Sequence, residues 1–213
     1  MGNHDTKEYS PQVDVAHYTK QSYRGKDRWL SYWYQLALVR QTAPSSVLEI
    51  GLGEGVVTDR LCKEGMAVTT CDIDARLHPD VVGSITALPF PDHSFDTVLA
   101  VEVLEHIRFE DTSQALGEIR RVARRYAVIG LPHAGYTFAL EFKLPLLPRI
   151  QRLFKIPFFW KEHLFNGEHY WELGKKGYPV RRFLRVAERA GLTLVKKQKF
   201  SDDPAHRYFL FSV

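Results

Sequence analysis

The sequence predicts an α/β fold, a mostly parallel sheet covered by helices on both faces and closed by an antiparallel hairpin. Three observations carry this. Short continuous apolar runs alternate with helical periods between residues 46 and 131, as buried parallel strands and their crossover helices do. A glycine cluster sits where the first strand meets the first crossover helix. Two strand-like runs joined by Ser-Asp-Asp-Pro, a turn sequence, occupy 192–213.

Each element has its own signal. Residues 1–22 are polar and aromatic without a period, and are expected to form a flexible or folded-over arm. From Arg24 to Gln41, Trp29, Tyr32, Trp33, Leu36 and Val39 recur at helical spacing, and Pro44 marks the boundary. Ser46–Ile50 reads as the first strand, Val56–Lys63 as a helix stopped by Gly65, and Ala67–Cys71 as the second strand. Val81–Val82 is a weak third strand and Phe95–Val101 a strong fourth. Asp111 is expected to open the next helix with Gln114 as its capping-box partner, and Leu116, Ile119 and Val122 stripe one face. Tyr126–Leu131 is the fifth strand. A helix beginning near Pro179 carries Phe183, Leu184 and Ala187 inward and ends at Gly191, and the terminal strands follow.

Composition narrows the classes. With 45% apolar and 25% charged residues the chain is not a disordered one. A net charge of +4 is too small to argue for a nucleic-acid binder. Cys62 and Cys71 can form neither a disulfide framework nor a zinc site, and both are expected to be buried thiols in a reducing compartment. No apolar leader or membrane-spanning run is evident, so a soluble cytoplasmic protein is expected. No metal-ligating cluster stands out.

The strongest constellation is VLEIGLGEG, Val47 to Gly55, after a strand and opening a helix. Glycines let a ligand approach the backbone, and the helix start offers free N–H groups. Asp72 ends the next strand, at about the ~20-residue spacing at which an acid meets ribose hydroxyls. The spacing is Gly51-x-Gly53-x-Gly55, not that of dinucleotide binders, and Glu49 stands inside the strand. A carboxylate there repels a pyrophosphate but suits a ligand carrying ammonium and sulfonium charge. NAD is therefore disfavoured.

From Val47 to Leu131 the chain resembles the class I S-adenosylmethionine-dependent methyltransferases, specifically the small type 11 group. The resemblance rests on VLEIGLGEG, on CDID at the end of the second strand, and on LPFPDHSFDTVLAVEVLEHI at Leu88–Ile107. It implies a Rossmann-like, seven-stranded sheet, agreeing with the hairpin read independently at 192–213. It also implies one methyltransferase domain over 1–213. Within it 1–43 is an arm and helix, 44–132 the cofactor-binding half, 133–178 an insertion after strand five, and 179–213 the terminal helix and hairpin. By resemblance, Gly51, Leu52 and Gly53 border the methionine part of S-adenosylmethionine, with Glu49 beside them. Asp72 holds the ribose diol, Ile73 packs on adenine, and Ser84 and Ile85 meet its edge. Many family members carry Asp where Ser84 stands. Val101 and Glu102 meet the amino-acid moiety or face the acceptor, and Tyr18 belongs to the covering arm with Tyr9, His17 and Tyr23.

Methyl transfer mainly demands orientation and exclusion of water, with a general base for a hydroxyl acceptor. His133, just after strand five, and His169, in GEHYWE, are the candidate bases, ahead of His163 and His17. His106 reads as scaffold. The insertion carries Phe138, Phe142, Leu146, Leu147, Phe154, Phe158, Phe159 and Trp160 among Lys143, Arg149, Arg152, Lys155 and Lys161. It reads as a lid, as a membrane-surface element through 138–165, or as a small helical subdomain covering the sheet or a dimer contact. Arg120, Arg121, Arg124 and Arg125 complement a helix end more simply than they bind RNA. The expected activity is methyl transfer to O or N of a small-molecule acceptor. An RNA or protein methyltransferase and a non-catalytic cofactor-binding subunit are the alternatives.

Overall fold

The computed structural model describes residues 9–20, 23–145 and 150–213, so the expectations for Leu146, Leu147 and Arg149 and for the first eight residues fall outside the described residues. In chain order the elements are α1 (Ala16–Thr19), α2 (Lys26–Gln41), β1 (Ser46–Ile50), α3 (Val56–Lys63), β2 (Ala67–Asp72), β3 (Val81–Val82), β4 (Phe95–Val101), α4 (Thr112–Val122), β5 (Ala123–Pro132), β6 (Gly135–Phe142), β7 (Ile150–Pro157), α5 (Val180–Arg189), β8 (Thr193–Gln198) and β9 (His206–Ser212).

Seven strands form one sheet in the order β3-β2-β1-β4-β5-β9-β8. The first five run parallel, whereas β9 is antiparallel to both neighbours. The strand order reverses at β1, and ligands of such sheets bind at the carboxyl ends beside that reversal. Strand alternation divides the interior in two. Leu48, Ile50, Val98, Ala100, Ala127 and Ile129 face α4, α5 and Trp171, while Val47, Leu99, Val101 and Val128 face α2 and α3. Glu49 shares the second face and is nearly fully buried.

The expected sheet and terminal hairpin are present. Four local expectations are not met. Trp29 and Trp33 are 59% and 61% exposed, because the inward stripe of α2 includes Ser31 and Gln35 beside Tyr32, Leu36 and Val39. Those polar groups are satisfied: Gln35 donates to Ser31 Oγ at 3.1 Å, and Ser31 shares a hydrogen bond with the Tyr208 hydroxyl at 2.9 Å. Asp111 makes no capping bond and instead accepts from the Tyr9 hydroxyl, and Gln114 donates to the Thr86 carbonyl at 2.8 Å. Cys62 is exposed on the outer side of α3, while Val57 and Leu61 point inward. Finally, the described part of 135–157 is not helical.

That segment is a separate antiparallel pair, β6 with β7. Its register sets Tyr136 opposite Ile156, Phe138 opposite Phe154, Leu140 opposite Arg152 and Phe142 opposite Ile150. Directly opposed residues share a face, and all seven apolar ones are exposed. Two of the four arginines expected at a helix end, Arg121 and Arg124, are engaged within the chain. Arg121 binds Glu118, Asp92 and the Leu88 and Phe90 carbonyls, and Arg124 binds the His93 carbonyl. No described helix is long and apolar enough to cross a membrane.

Candidate active site

At the carboxyl ends of β1, β2 and β4 lies a cavity of about 310 Å³, within the usual size of small-molecule sites. The glycine loop forms its floor. Gly51 and Gly53 adopt φ of +79° and +54°, the left-handed region that side chains resist. A Cβ on Gly51 would also stand 2.5 Å from the Val103 side chain. At the end of β2, the Asp72 carboxylate accepts from the Leu52 N–H at 3.2 Å and the Asp74 N–H at 2.9 Å. Burial raises its pKa, partly offset by those backbone donors. Burial likewise lifts Glu49 to about 7 against the opposing hydrogen bond from Thr58.

Glu102, just past β4, holds an unusual backbone for a side-chain-bearing residue, φ +55°. Its carboxylate is gripped from two sides, by the Arg28 guanidinium and by His206 Nε2. Burial opposes its charge, but His206 and Arg28 hold it far below the usual carboxylate range. His206 is braced in turn by Asp203 at 2.5 Å, which also accepts from Tyr208 at 2.6 Å. Although burial works against the imidazolium, Glu102 and Asp203 push His206 up to about 10.

The opposite wall comes from the turn after β4 and from residues 168–173, and Trp171 fastens the two together. Its indole is fully buried and Nε1–H donates to the Leu104 and Ile107 carbonyls, both at 3.1 Å. Tyr170 N–H adds a bond to the Glu105 carbonyl at 2.8 Å. This clamp sets His169 against His106, with ring centroids 5.1 Å apart. His106 Nδ1–H faces the Gln12 amide oxygen at 2.9 Å and the Glu168 carbonyl at 3.0 Å, and His169 Nδ1–H faces Glu172 at 3.2 Å. Burial lowers the pKa of His106. Burial also opposes charge on His169, yet its bond to Glu172 and the nearby Glu105 raise it on balance.

The arm closes the cavity. Tyr9 donates to Asp111 and accepts from the Arg108 N–H at 3.1 Å. Gln12 donates to the His106 carbonyl at 2.8 Å, and Arg76 reaches the Val13 carbonyl at 3.4 Å. Tyr18 and Tyr23 lie over Gly53 at 3.6–3.7 Å from the position of a Cβ there.

All eleven residues expected at the cofactor, Tyr18, Glu49, Gly51, Leu52, Gly53, Asp72, Ile73, Ser84, Ile85, Val101 and Glu102, line this one cavity, and so does His169. His133 does not. It is buried on the other side of the β5 end, against Gly174 and near Lys155 and Arg207. Burial, then those cations, depresses it to about 3. The expectation that its place after β5 turns it to the cleft is therefore not met. Sequence reasoning missed Arg28, Gln12 and Glu168, which also line the cavity. They lie in segments without a motif, and only the three-dimensional contacts reveal them.

The lining suits S-adenosylmethionine. Five carboxylates, Glu49, Asp72, Asp74, Glu102 and Glu168, face the cavity against a single guanidinium that Glu102 already neutralises. That balance welcomes sulfonium and ammonium charge and repels pyrophosphate. The comparisons agree. A family model described as a methyltransferase domain matches residues 48–129. The demethylmenaquinone methyltransferase of Tropheryma whipplei is 27% identical over 199 residues, covering 83% of this chain and 80% of the relative. The ubiquinone biosynthesis O-methyltransferase of Paramagnetospirillum magneticum is 33% identical over 94 residues, 38% of this chain and 37% of that protein. Among solved structures, the Burkholderia thailandensis 1,6-didemethyltoxoflavin-N1-methyltransferase with bound S-adenosylhomocysteine shares the fold at TM-score 0.58 and 16% identity, covering 93% of this chain and 86% of that one. The family model, the named relatives and the shared fold together support reading the chain as a class I S-adenosylmethionine-dependent methyltransferase.

Proposed function

We propose that the enzyme methylates O or N of a small, ring-bearing acceptor held between the glycine loop and the His106–His169 wall. One observation carries this reading: the cofactor residues and the aromatic and imidazole groups of the opposite wall share a single cavity that the arm covers. A covered cavity of about 310 Å³ favours a small acceptor over the RNA and protein alternatives. The relatives named for quinone and heterocycle methylation support the same acceptor class.

S-adenosylmethionine would supply an activated methyl group on sulfonium. Asp72 would accept from the ribose hydroxyls, Ile73, Ser84 and Ile85 would surround adenine, and Gly51–Gly53 with Glu49 would border the methionine moiety. Glu102, fixed by Arg28 and His206, presents a permanently ionised carboxylate to the developing site. His169 is the candidate to receive the acceptor's proton, and Glu172 orients its ring and steadies its positive charge. The four segments, 1–43, 44–132, 133–178 and 179–213, would work as one unit.

The exposed apolar face of β6–β7, with Arg152 on it and Lys143 and Lys161 beside it, favours contact with an anionic membrane surface from which a lipophilic acceptor is drawn. A cytoplasmic setting fits the free thiols. The test is transfer of labelled methyl to a panel of hydroxylated and aminated aromatic rings, with bulk RNA and protein in parallel. Label in a small ring compound is expected. Label confined to RNA or protein would overturn the reading.

A further inference from the structure

Glu105 is fully buried, and neither of its carboxylate oxygens has a hydrogen-bond partner. Buried carboxylates are ordinarily paired or bound to a cation. What faces it is two imidazoles. One ligand atom each from Glu105, His106 and His169 lies within 4.8 Å of the other two. Both rings use Nδ1–H as a donor to oxygen, His106 to Glu168 and Gln12 and His169 to Glu172. That fixes the tautomer with the lone pair on Nε2, and no described residue hydrogen-bonds to either Nε2. A ring held by a carboxylate or carbonyl at one nitrogen, with the other nitrogen free, is how proteins prepare a histidine to bind a metal.

We propose that Glu105, His106 and His169 form a binding site for one divalent transition-metal cation of the zinc type. Two nitrogens and one carboxylate suit such an ion better than magnesium or calcium, which prefer all-oxygen shells. Bonds of ~2.0–2.2 Å to each ligand span most of the 4.8 Å separation, so small rotamer shifts close the site. Three protein ligands leave at least one position open. Because His106 and His169 line the cavity whereas Glu105 lies behind them, that position faces the acceptor space. An acceptor hydroxyl or carbonyl oxygen would complete the shell there, and a ligated hydroxyl gives up its proton more readily, so in the metal-bound chain the ion takes over from His169 the task of activating the acceptor. This use of the ion rests on the proposed function, while the binding of the ion does not. The sequence concealed the site, since its third ligand stands 63 residues beyond the second and only long-range contacts, those of Trp171, Tyr170 and the Glu168 carbonyl, join them.

The test is a titration of the chelator-treated full chain with Zn²⁺, and separately with Co²⁺ and Mg²⁺. Saturation at one Zn²⁺ per chain is expected, with visible absorption bands for Co²⁺ and at least ~10-fold weaker binding of Mg²⁺. Glu105→Gln and His169→Ala should each weaken Zn²⁺ binding by ~10-fold or more. Thermal stabilisation by S-adenosylhomocysteine checks that each variant is folded. The absence of saturable Zn²⁺ binding, or unchanged binding in both folded variants, would overturn the proposal. Acceptor methylation that persists in chelator alongside that failure would leave the proposed function standing.

Discussion

The two walls of the cavity are built differently. The glycine-loop wall is made at the ends of two neighbouring strands, β1 and β2, where backbone does the positioning: Gly51 and Gly53 in left-handed conformation, and Asp72 anchored by two N–H groups. The His106–His169 wall is made by side chains from the arm, the turn after β4 and the insertion's return, joined through Trp171 and Gln12. The first wall follows from local chain geometry, the second from packing at long range. Under the proposed function, a fixed backbone meets the cofactor, and side chains brought together at long range meet the acceptor.

The sharpest way to break this contrast is to remove the clamp. Trp171→Ala should cost ~3–5 kcal/mol of stability and lower the melting temperature by roughly 10 °C or more. Acceptor turnover should fall further than affinity for S-adenosylhomocysteine. Equal losses, read by calorimetry and kinetics, would mean that the two walls are not separable.

Next in size is Asp72→Ala. Loss of charge-assisted bonds to two ribose hydroxyls should weaken S-adenosylhomocysteine by ~100-fold, while the far-UV spectrum and the response to acceptor stay as in the parent. A folded variant with full affinity would remove Asp72 from the ribose role.

These contrasts explain what was legible. The sheet, the glycine loop and Asp72 were readable because hydrophobic period and glycine placement are local constraints. The α2 stripe misled because its inward face is partly polar and satisfied by Tyr208, a partner at the other end of the chain. His133 follows β5 directly, as its position in the sequence implies, yet which side of the sheet it takes depends on Lys155 and Gly174, invisible to spacing. The alternation Tyr136, Phe138, Leu140, Phe142 is a strand signal, but the prolines and basic residues that follow blur its period.

A smaller effect distinguishes the walls by pH. Glu49 titrates near 7 in the folded chain against 4.5 as a free group. A raised carboxyl keeps its proton longer when folded, so its contribution to stability is greatest at acid pH and declines as pH rises from about 4.5 to 7. Glu49→Gln should therefore gain on the parent across that window, by of order 2–3 kcal/mol at the top. Affinity for the cationic cofactor should rise with pH through 7 in the parent and flatten in the variant. Parallel pH profiles from denaturant titration would rule this out.

The smallest effect on the fold belongs to the hairpin. Replacing Phe138 and Phe154 with Ser should change stability by no more than ~0.5 kcal/mol each, as for other exposed sites, but reduce flotation with anionic vesicles. Flotation unaltered by the change would point away from a lipid contact.

The arm carries a consequence for speed. Residues 9–14 are latched at both flanks, to Asp111, Arg108 and His106 on one side and Arg76 on the other. Under the proposed function the spent cofactor leaves past these latches, so several hydrogen bonds open together. Such motions fall in the microsecond-to-millisecond range and often cap turnover. Residence time of the product, more than the transfer of the methyl group, would then set the pace, and a first catalytic cycle would run faster than those after it.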